Sequence, residues 1–270
     1  MVYFRYVELS AAMSRDHTTR RTVLLGIGTA TATALAGCSG GGDGDDGDGT
    51  DTTETEMDGG TANVRVAHLS PNAPNVDVYV DGEAAVEDVG FGVFGSYLEV
   101  PAGERQLRIT PAGDGETTVS EAAVTVEADT DYTVAAVGEI GDDADQAFEL
   151  LPLADDNSAP DDGMARVRAL HASPDAPAVD ITAGDGETVL FDAVAYGESG
   201  YVDISAGSYT LEIRGDTDGN DGDIVATQDV TVEGGQVYTA AAAGYLTADD
   251  DPADTPFEVV LAQDTGSMDG

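Results

Sequence analysis

His68-Leu69-Ser70-Pro71-Asn72-Ala73-Pro74-Asn75-Val76-Asp77-Val78 returns as His171-Ala172-Ser173-Pro174-Asp175-Ala176-Pro177-Ala178-Val179-Asp180-Ile181, 103 residues later. Each copy follows a Val-Arg pair, Val64-Arg65 and Val167-Arg168. Self-similarity at this period marks two homologous domains rather than one large fold. The 270 residues agree, since they leave room for two domains at about 100–200 residues each.

The repeat extends outward from this stretch. Tyr97 matches Tyr201, Ala102-Gly103 matches Ala206-Gly207, and Leu107-Arg108-Ile109 matches Leu211-Glu212-Ile213. Val124-Thr125-Val126-Glu127 matches Val230-Thr231-Val232-Glu233, Tyr132-Thr133 matches Tyr238-Thr239, and Phe148-Glu149 matches Phe257-Glu258. The offset drifts upward along the chain, so insertions fall in loops, where they cost little. Apolar alternation is clear at Val64, Val66 and His68 and at Val76, Val78 and Val80. Asp81-Gly82 signals a hairpin. Pro101-Ala102-Gly103, Gly113-Asp114-Gly115 and Asp129-Thr130-Asp131 read as turns. Short strands at this spacing, with no helical period, predict an all-β chain of two tandem antiparallel β-sandwich domains of Ig-like or Greek-key type. The expected units are residues 62–153 and 164–262, a polar linker at 154–163 that allows relative motion, and a tail at 263–270. Ile181-Thr182-Ala183-Gly184 replaces the cleaner Val78-Tyr79-Val80-Asp81-Gly82, which predicts an irregular strand in the second copy only.

The Val-Arg-x-x-His-x-Ser-Pro-[Asn/Asp]-Ala-Pro-x-Val-Asp-[Val/Ile] signature, followed by a Tyr strand and Ala-Gly, resembles the family catalogued as domain of unknown function 4397. The resemblance covers roughly residues 62 to 262. It implies an exported, surface-attached protein with tandem units, and it assigns no activity.

Residues 1–37 read as an export leader. Arg20-Arg21 sits in a twin-arginine pattern, and an apolar run from Val23 to Gly37 follows, too short for a confident membrane span. Leu35-Ala36-Gly37-Cys38 closes it as a lipobox, which makes Cys38 the expected lipid attachment point. Met13 is an alternative start to Met1. Residues 38–61 then form a disordered Gly/Asp/Thr tether that carries too little apolar surface to fold. The expected location is the extracytoplasmic face of the cell membrane, with the lipid on Cys38 as the membrane contact. As the only cysteine, Cys38 leaves no intramolecular disulfide to staple the fold.

Charge narrows the partners. There are 53 acidic residues against 10 basic ones, all arginine, for a net charge of −43. A chain this anionic lacks the basic face that nucleic acid requires. With 41% hydrophobic residues it still has material for real cores. A carboxylate-dense, lysine-free surface resembles the proteins of salt-loving archaea, in which concentrated salt screens self-repulsion; the Debye length is ~3 Å at 1 M. Arg65, Arg166 and Arg168 are expected to pair with nearby carboxylates.

His68 with Ser70 and Asp77, and His171 with Ser173 and Asp180, supply the residue types of a nucleophilic triad. No elbow glycine exposes the serine and no oxyanion donors can be named, so no catalytic residue is assigned. With Pro71, Pro74, Pro174 and Pro177 fixing φ, these residues read better as a rigid strand-to-strand corner. Asp216, Asp218, Asn220 and Asp223 are weak calcium candidates. The glycine falls one place late for an EF-hand and position twelve is Thr227, so a solvated acidic loop is the better reading. An exposed row of tyrosines could stack on sugars, although half-buried strand packing fits them better. No cofactor is called for. The function expected is a non-catalytic display, adhesion or envelope-organising module, with an envelope glycoprotein or polysaccharide as partner. The alternatives are surface capture of solute or Ca2+ and, behind it, an enzyme on envelope polymers. Dialysis from multimolar to low salt is expected to unfold the chain, read by circular dichroism; an unchanged spectrum would contradict the halophile reading.

Overall fold

The computed structural model describes residues 59–142, 144–247 and 254–264. Arg20, Arg21, Cys38 and all but the last residues of the tether lie outside them. Among the described residues every regular element is a strand. The first repeat contains β1 (Thr61–His68), β2 (Val76–Val80), β3 (Glu83–Val89), β4 (Val93–Phe94), β5 (Leu98–Pro101), β6 (Gly103–Pro111), β7 (Ser120–Val126), β8 (Asp131–Val137) and β9 (Glu149–Asp155). The second contains β10 (Met164–His171), β11 (Val179–Ala183), β12 (Thr188–Val194), β13 (Ser199–Ser205), β14 (Gly207–Gly215), β15 (Ile224–Val232), β16 (Val237–Ala243) and β17 (Glu258–Gln263).

Each repeat is a two-sheet sandwich. In the first, one sheet runs β4-β1-β8-β9 with β5 also on β1, and the other runs β3-β2-β6-β7. In the second, the corresponding orders are β13-β10-β16-β17 and β12-β11-β14-β15. Alternation supplies the cores: Val64, Leu107, Val124 and Val134 meet between the sheets of the first repeat, and Val167, Ile204, Val232 and Ala240 meet in the second. Asp81 and Gly82 both take positive φ, 51° and 88°, and close the β2–β3 hairpin.

Two details depart from expectation. One ladder in each repeat is parallel, β1 with β8 and β10 with β16. The chain leaves the first sheet after β1, visits the second at β2–β3, comes back for β4–β5, leaves again for β6–β7, and returns as β8 in the same direction as β1. The irregularity expected of β11 alone is present in both copies, because β2 and β11 carry the same register shifts against β3 and β12.

A sandwich standing alone would leave one face of each sheet in water. Here β8 is buried along six of its seven residues and β16 along all seven. The second buried face of each is the other repeat. Ala67, Leu69, Ala135 and Val137 pack with Leu170, Ala172, Ala241 and Ala243 in one cluster that both repeats share. Small side chains let the two sheets approach closely, and strands covered on both sides read as continuous apolar runs.

At one end of this face lies a charged network. Arg65 Nη2 contacts Asp264 at 2.6 Å, and Arg168 Nη1 contacts Asp155 at 2.6 Å, so each arginine crosses to the other repeat. Thr133 accepts from Arg65 Nε and from Arg168 Nη2, and donates to Asp155. Thr239 accepts from Arg168 and from Arg65 and donates to Asp264. Equivalent positions exchange equivalent contacts, which is the pattern of a two-fold axis. Both arginines and both aspartates are buried to within 2%. Tyr97 stacks over Arg65 at 4.9 Å and Tyr201 over Arg168 at 5.5 Å.

The expected boundaries at residues 154 and 263 therefore shift. Asp155 belongs to β9 and anchors Arg168, so the connection is shorter than 154–163. The connection is also held, as Asn157 donates to Tyr97 and Asp131 and Arg166 grips Asp156 and Ser158. Gln263 closes β17 and Asp264 is fully buried as the counter-charge of Arg65, so the second repeat runs two residues past the expected 262, and residues 265–270 of the expected tail lie outside the described residues. All seventeen strands fall in one compact unit, Thr55–Gly270. Free motion between the repeats would expose the shared cluster and uncouple both ion pairs.

Removing one member of a buried pair leaves its partner's charge uncompensated, at a cost of about 3–5 kcal/mol. Arg168→Ala strands the Asp155 carboxylate and is expected to lose stability on that scale in denaturant unfolding at constant high salt. A loss under about 1 kcal/mol, the range of exposed pairs, would contradict the buried network.

Candidate functional site

The repeated signature forms a corner at the end of β1 and again at the end of β10. His68 Nε2 bonds the Pro74 carbonyl at 3.0 Å, and His171 Nε2 bonds the Pro177 carbonyl at 2.9 Å. Since a carbonyl only accepts, Nε2 carries the proton in each ring. Each imidazole thus spans the proline-stiffened bend from inside. Burial lowers both histidine pKa values below the ordinary 6.5, with the proline carbonyl opposing it.

The signature aspartates are equally committed. Asp77 accepts from the backbone N–H of Asp88 at 2.8 Å and of Gly113 at 2.9 Å. Asp180 accepts from Ala193 N at 2.9 Å and Thr217 N at 3.1 Å. Asp88 and Ala193 are themselves strained, with φ of 57° and 51°. They sit at the register shift of β2–β3 and β11–β12, where the ladder cannot satisfy their N–H groups. The carboxylate does so instead, and it ties the bulge to the loop after β6 or β14.

The serines differ between copies. Ser173 donates to the Gly244 carbonyl at 2.7 Å, with Asp175 Oδ1 at 3.2 Å as the longer alternative acceptor for its single proton. Ser70 Oγ is buried without a hydrogen-bond partner. Where Asp175 accepts from Leu246 N and Thr247 N, Asn72 instead exchanges two bonds with the Ile140 backbone. The nearest approach to a serine–histidine couple is the Ser173 backbone N–H to His171 Nδ1, at 3.3 Å. A main-chain amide is no nucleophile, and both histidines use Nε2 elsewhere.

Asp216, Asp218, Asn220 and Asp223 lie on the β14–β15 connection. Its shape comes from internal bonds: Thr217 with Asp221, Asn220 N to the Thr217 carbonyl, and Gly215 N to the Asp223 carbonyl. Among the described residues no group of three or more His, Cys, Asp and Glu side chains converges as a metal site. In the second sandwich an apolar gap of about 30 Å³ lies between the sheets, lined by residues such as Leu190, Phe191 and Leu261. It is a small gap with an almost wholly apolar lining, and it presents no polar group to orient a ligand.

The sites that sequence reasoning missed lie between the repeats. Besides Thr133, Thr239, Asp155 and Asp264, the Tyr245 hydroxyl donates to Glu139 Oε1 at 2.8 Å, fully buried. Tyr196 stands edge-on to His171, with its hydroxyl unpartnered and its pKa raised by burial, then by Glu149 and Glu139. The available signal was Val134-Ala135-Ala136-Val137 and Ala240-Ala241-Ala242-Ala243. Strands with one wet face alternate, and these do not.

The family described as "Domain of unknown function (DUF4397)" matches residues 62–182 and 170–268, and the chain belongs to it. None of the curated proteins compared matches. Among solved structures, the Bacillus anthracis TIE protein is 11% identical with a TM-score of 0.23, covering 69% of this chain and 34% of its own. This chain thus spans about a third of that protein. A streptococcal virulence factor titled for alpha-glucan binding is 13% identical at TM-score 0.22, covering 67% and 92%. A putative cell adhesion protein from Bacteroides fragilis is 9% identical at TM-score 0.19, covering 76% and 98%. Superpositions this loose carry no argument about function.

Two outcomes test the corner. Asp180→Ala orphans two backbone N–H groups and is expected to cost about 2 kcal/mol or more in denaturant unfolding; a neutral result would contradict the assignment. Folded histidine pKa values below 6.5 mean that this contribution to stability is complete above pH 6.5 and lost as pH falls through the folded values. NMR titration should find both rings still neutral at pH 6.5, and protonation at or above that pH would contradict their burial.

Proposed function

We propose that the chain is a non-catalytic lipoprotein displayed outside the membrane of a salt-loving archaeon, binding an envelope glycoprotein or polysaccharide through one end of its paired sandwiches. The observation that carries this reading is where the loops lie. β1 and β8 run parallel, as do β10 and β16. The repeats touch at the level of Thr133 and Thr239, and again at Glu139 and Tyr245, just beyond the ends of β8 and β16. The strands of both repeats therefore point the same way. Both corners, the β6–β7 and β14–β15 connections, and the described residues that follow β8 and β16 gather at one end. Gly60, the 156–163 connection and Asp264 gather at the other.

A tether entering at Gly60 would hold the composite loop end away from the bilayer. Two acyl chains on Cys38 would anchor it stably, where one would be marginal. The corner groups fit a supporting role: histidine, aspartate and Ser173 are spent on backbone partners. Loops on a rigid scaffold are where binding residues collect. The acidic surface would keep the module hydrated in brine.

Cys38→Ser is expected to move the protein from the membrane to the soluble fraction; continued membrane retention would refute lipid anchoring. For binding, the β6–β7 and β14–β15 connections are shortened to tight turns in one variant, and exposed residues near Gly60 are changed in another. Capture of native envelope material in high salt should fall only in the first. Equal capture by both variants would overturn the display reading.

A further inference from the structure

The face that joins the repeats is close to self-complementary. Arg65 reaches Asp264 as Arg168 reaches Asp155, and Thr133 and Thr239 exchange the same bonds. Between them Ala135 and Ala241 lie in the shared apolar cluster. An interface built from equivalent residues on both sides is the isologous kind that joins separate subunits. Any shift of register would bury charges without partners.

The equivalence is broken in size where Ala67, Leu69 and Val137 correspond to Leu170, Ala172 and Ala243, and in charge at one further pair. Glu139 and Tyr245 occupy corresponding positions, one residue after Gly138 and Gly244, and they bond each other across the axis. Glu139 is held in place by the Asp145 and Gln146 amides on its second oxygen. If two first repeats met through this face, two buried carboxylates would oppose each other. If two second repeats met, two phenols would face each other with no carboxylate between them.

We propose that this face is a recognition surface in its own right, whose partner is the opposite repeat of a second copy of this chain, and that Glu139–Tyr245 selects unlike over like pairing. The connection at 156–163 raises the local concentration of the partner, and the face makes the bond. Once the connection is cut, molecules exchange repeats, each first repeat seating the second repeat of another molecule.

The test uses the whole chain with a protease site inserted between Pro160 and Asp161. After cleavage at multimolar salt, the halves should co-elute as a one-to-one complex with full strand signal. Nicked preparations carrying different tags on each half, mixed and left to exchange, should re-pair first repeats with second repeats by about tenfold or more over like pairs. Glu139→Gln removes the opposed charge of the like pair and should lower that preference while the halves stay together. Halves that separate, or lose their strand signal, would overturn the docking surface. Random reassortment, or a preference untouched by Glu139→Gln, would overturn the selector.

Discussion

Two guanidinium groups are buried side by side, each matched to a carboxylate from the other repeat, and the arrangement of the molecule follows from them. Each arginine takes its short ion pair from the other repeat, and the contact of Arg168 with Asp264 of its own repeat is longer, at 4.0 Å. Arg65 needs Asp264, almost at the end of the described chain, and Arg168 needs Asp155, at the end of the first sandwich. Burying such charges contributes little net stability, because desolvation offsets the attraction. Its effect is on geometry. The ions are satisfied in one relative placement of the sandwiches, and the alanine faces beside them would tolerate several. In a chain with only 10 basic residues against 53 acidic ones, spending two arginines here is a considerable commitment.

Much of the fold was legible in the sequence because its determinants are local. The His-Ser-Pro stretches, the Asp81-Gly82 hairpin and the alternating valines each act over a few residues, and the duplication announces two units. The docking of those units was not legible, because it depends on pairs such as Arg65 and Asp264, 199 residues apart. The arginines were expected to find carboxylates nearby, and Arg166 does so with Asp156 and Asp203. Arg65 and Arg168 instead find theirs across the axis. The one local trace was compositional, the unbroken apolar runs of β8 and β16. Likewise the shared irregularity of β2 and β11 was hidden, because it is imposed by the Asp77 and Asp180 carboxylates reaching strained amides on a neighbouring strand.

The corner shows why triad residue types need not mean a triad. Histidine, serine and aspartate are suited to catalysis because they can hold and pass protons, and the same capacity satisfies stranded backbone groups. Here the rings are turned to proline carbonyls and the carboxylates to bulge amides. The loops that these corners support are brought together at one end only because the repeats are aligned. Rigid docking is therefore what turns two modest loop sets into one composite surface.

The central claim is that the two sandwiches form one body fixed by the buried Arg–Asp network. It is tested most directly by a pulsed electron–electron distance measurement between spin labels at Thr125 and Thr231, exposed positions on the outer sheets of the two repeats, in a Cys38→Ser background. The account predicts a single narrow distance distribution in high salt. A broad or multimodal distribution under the same conditions would contradict it.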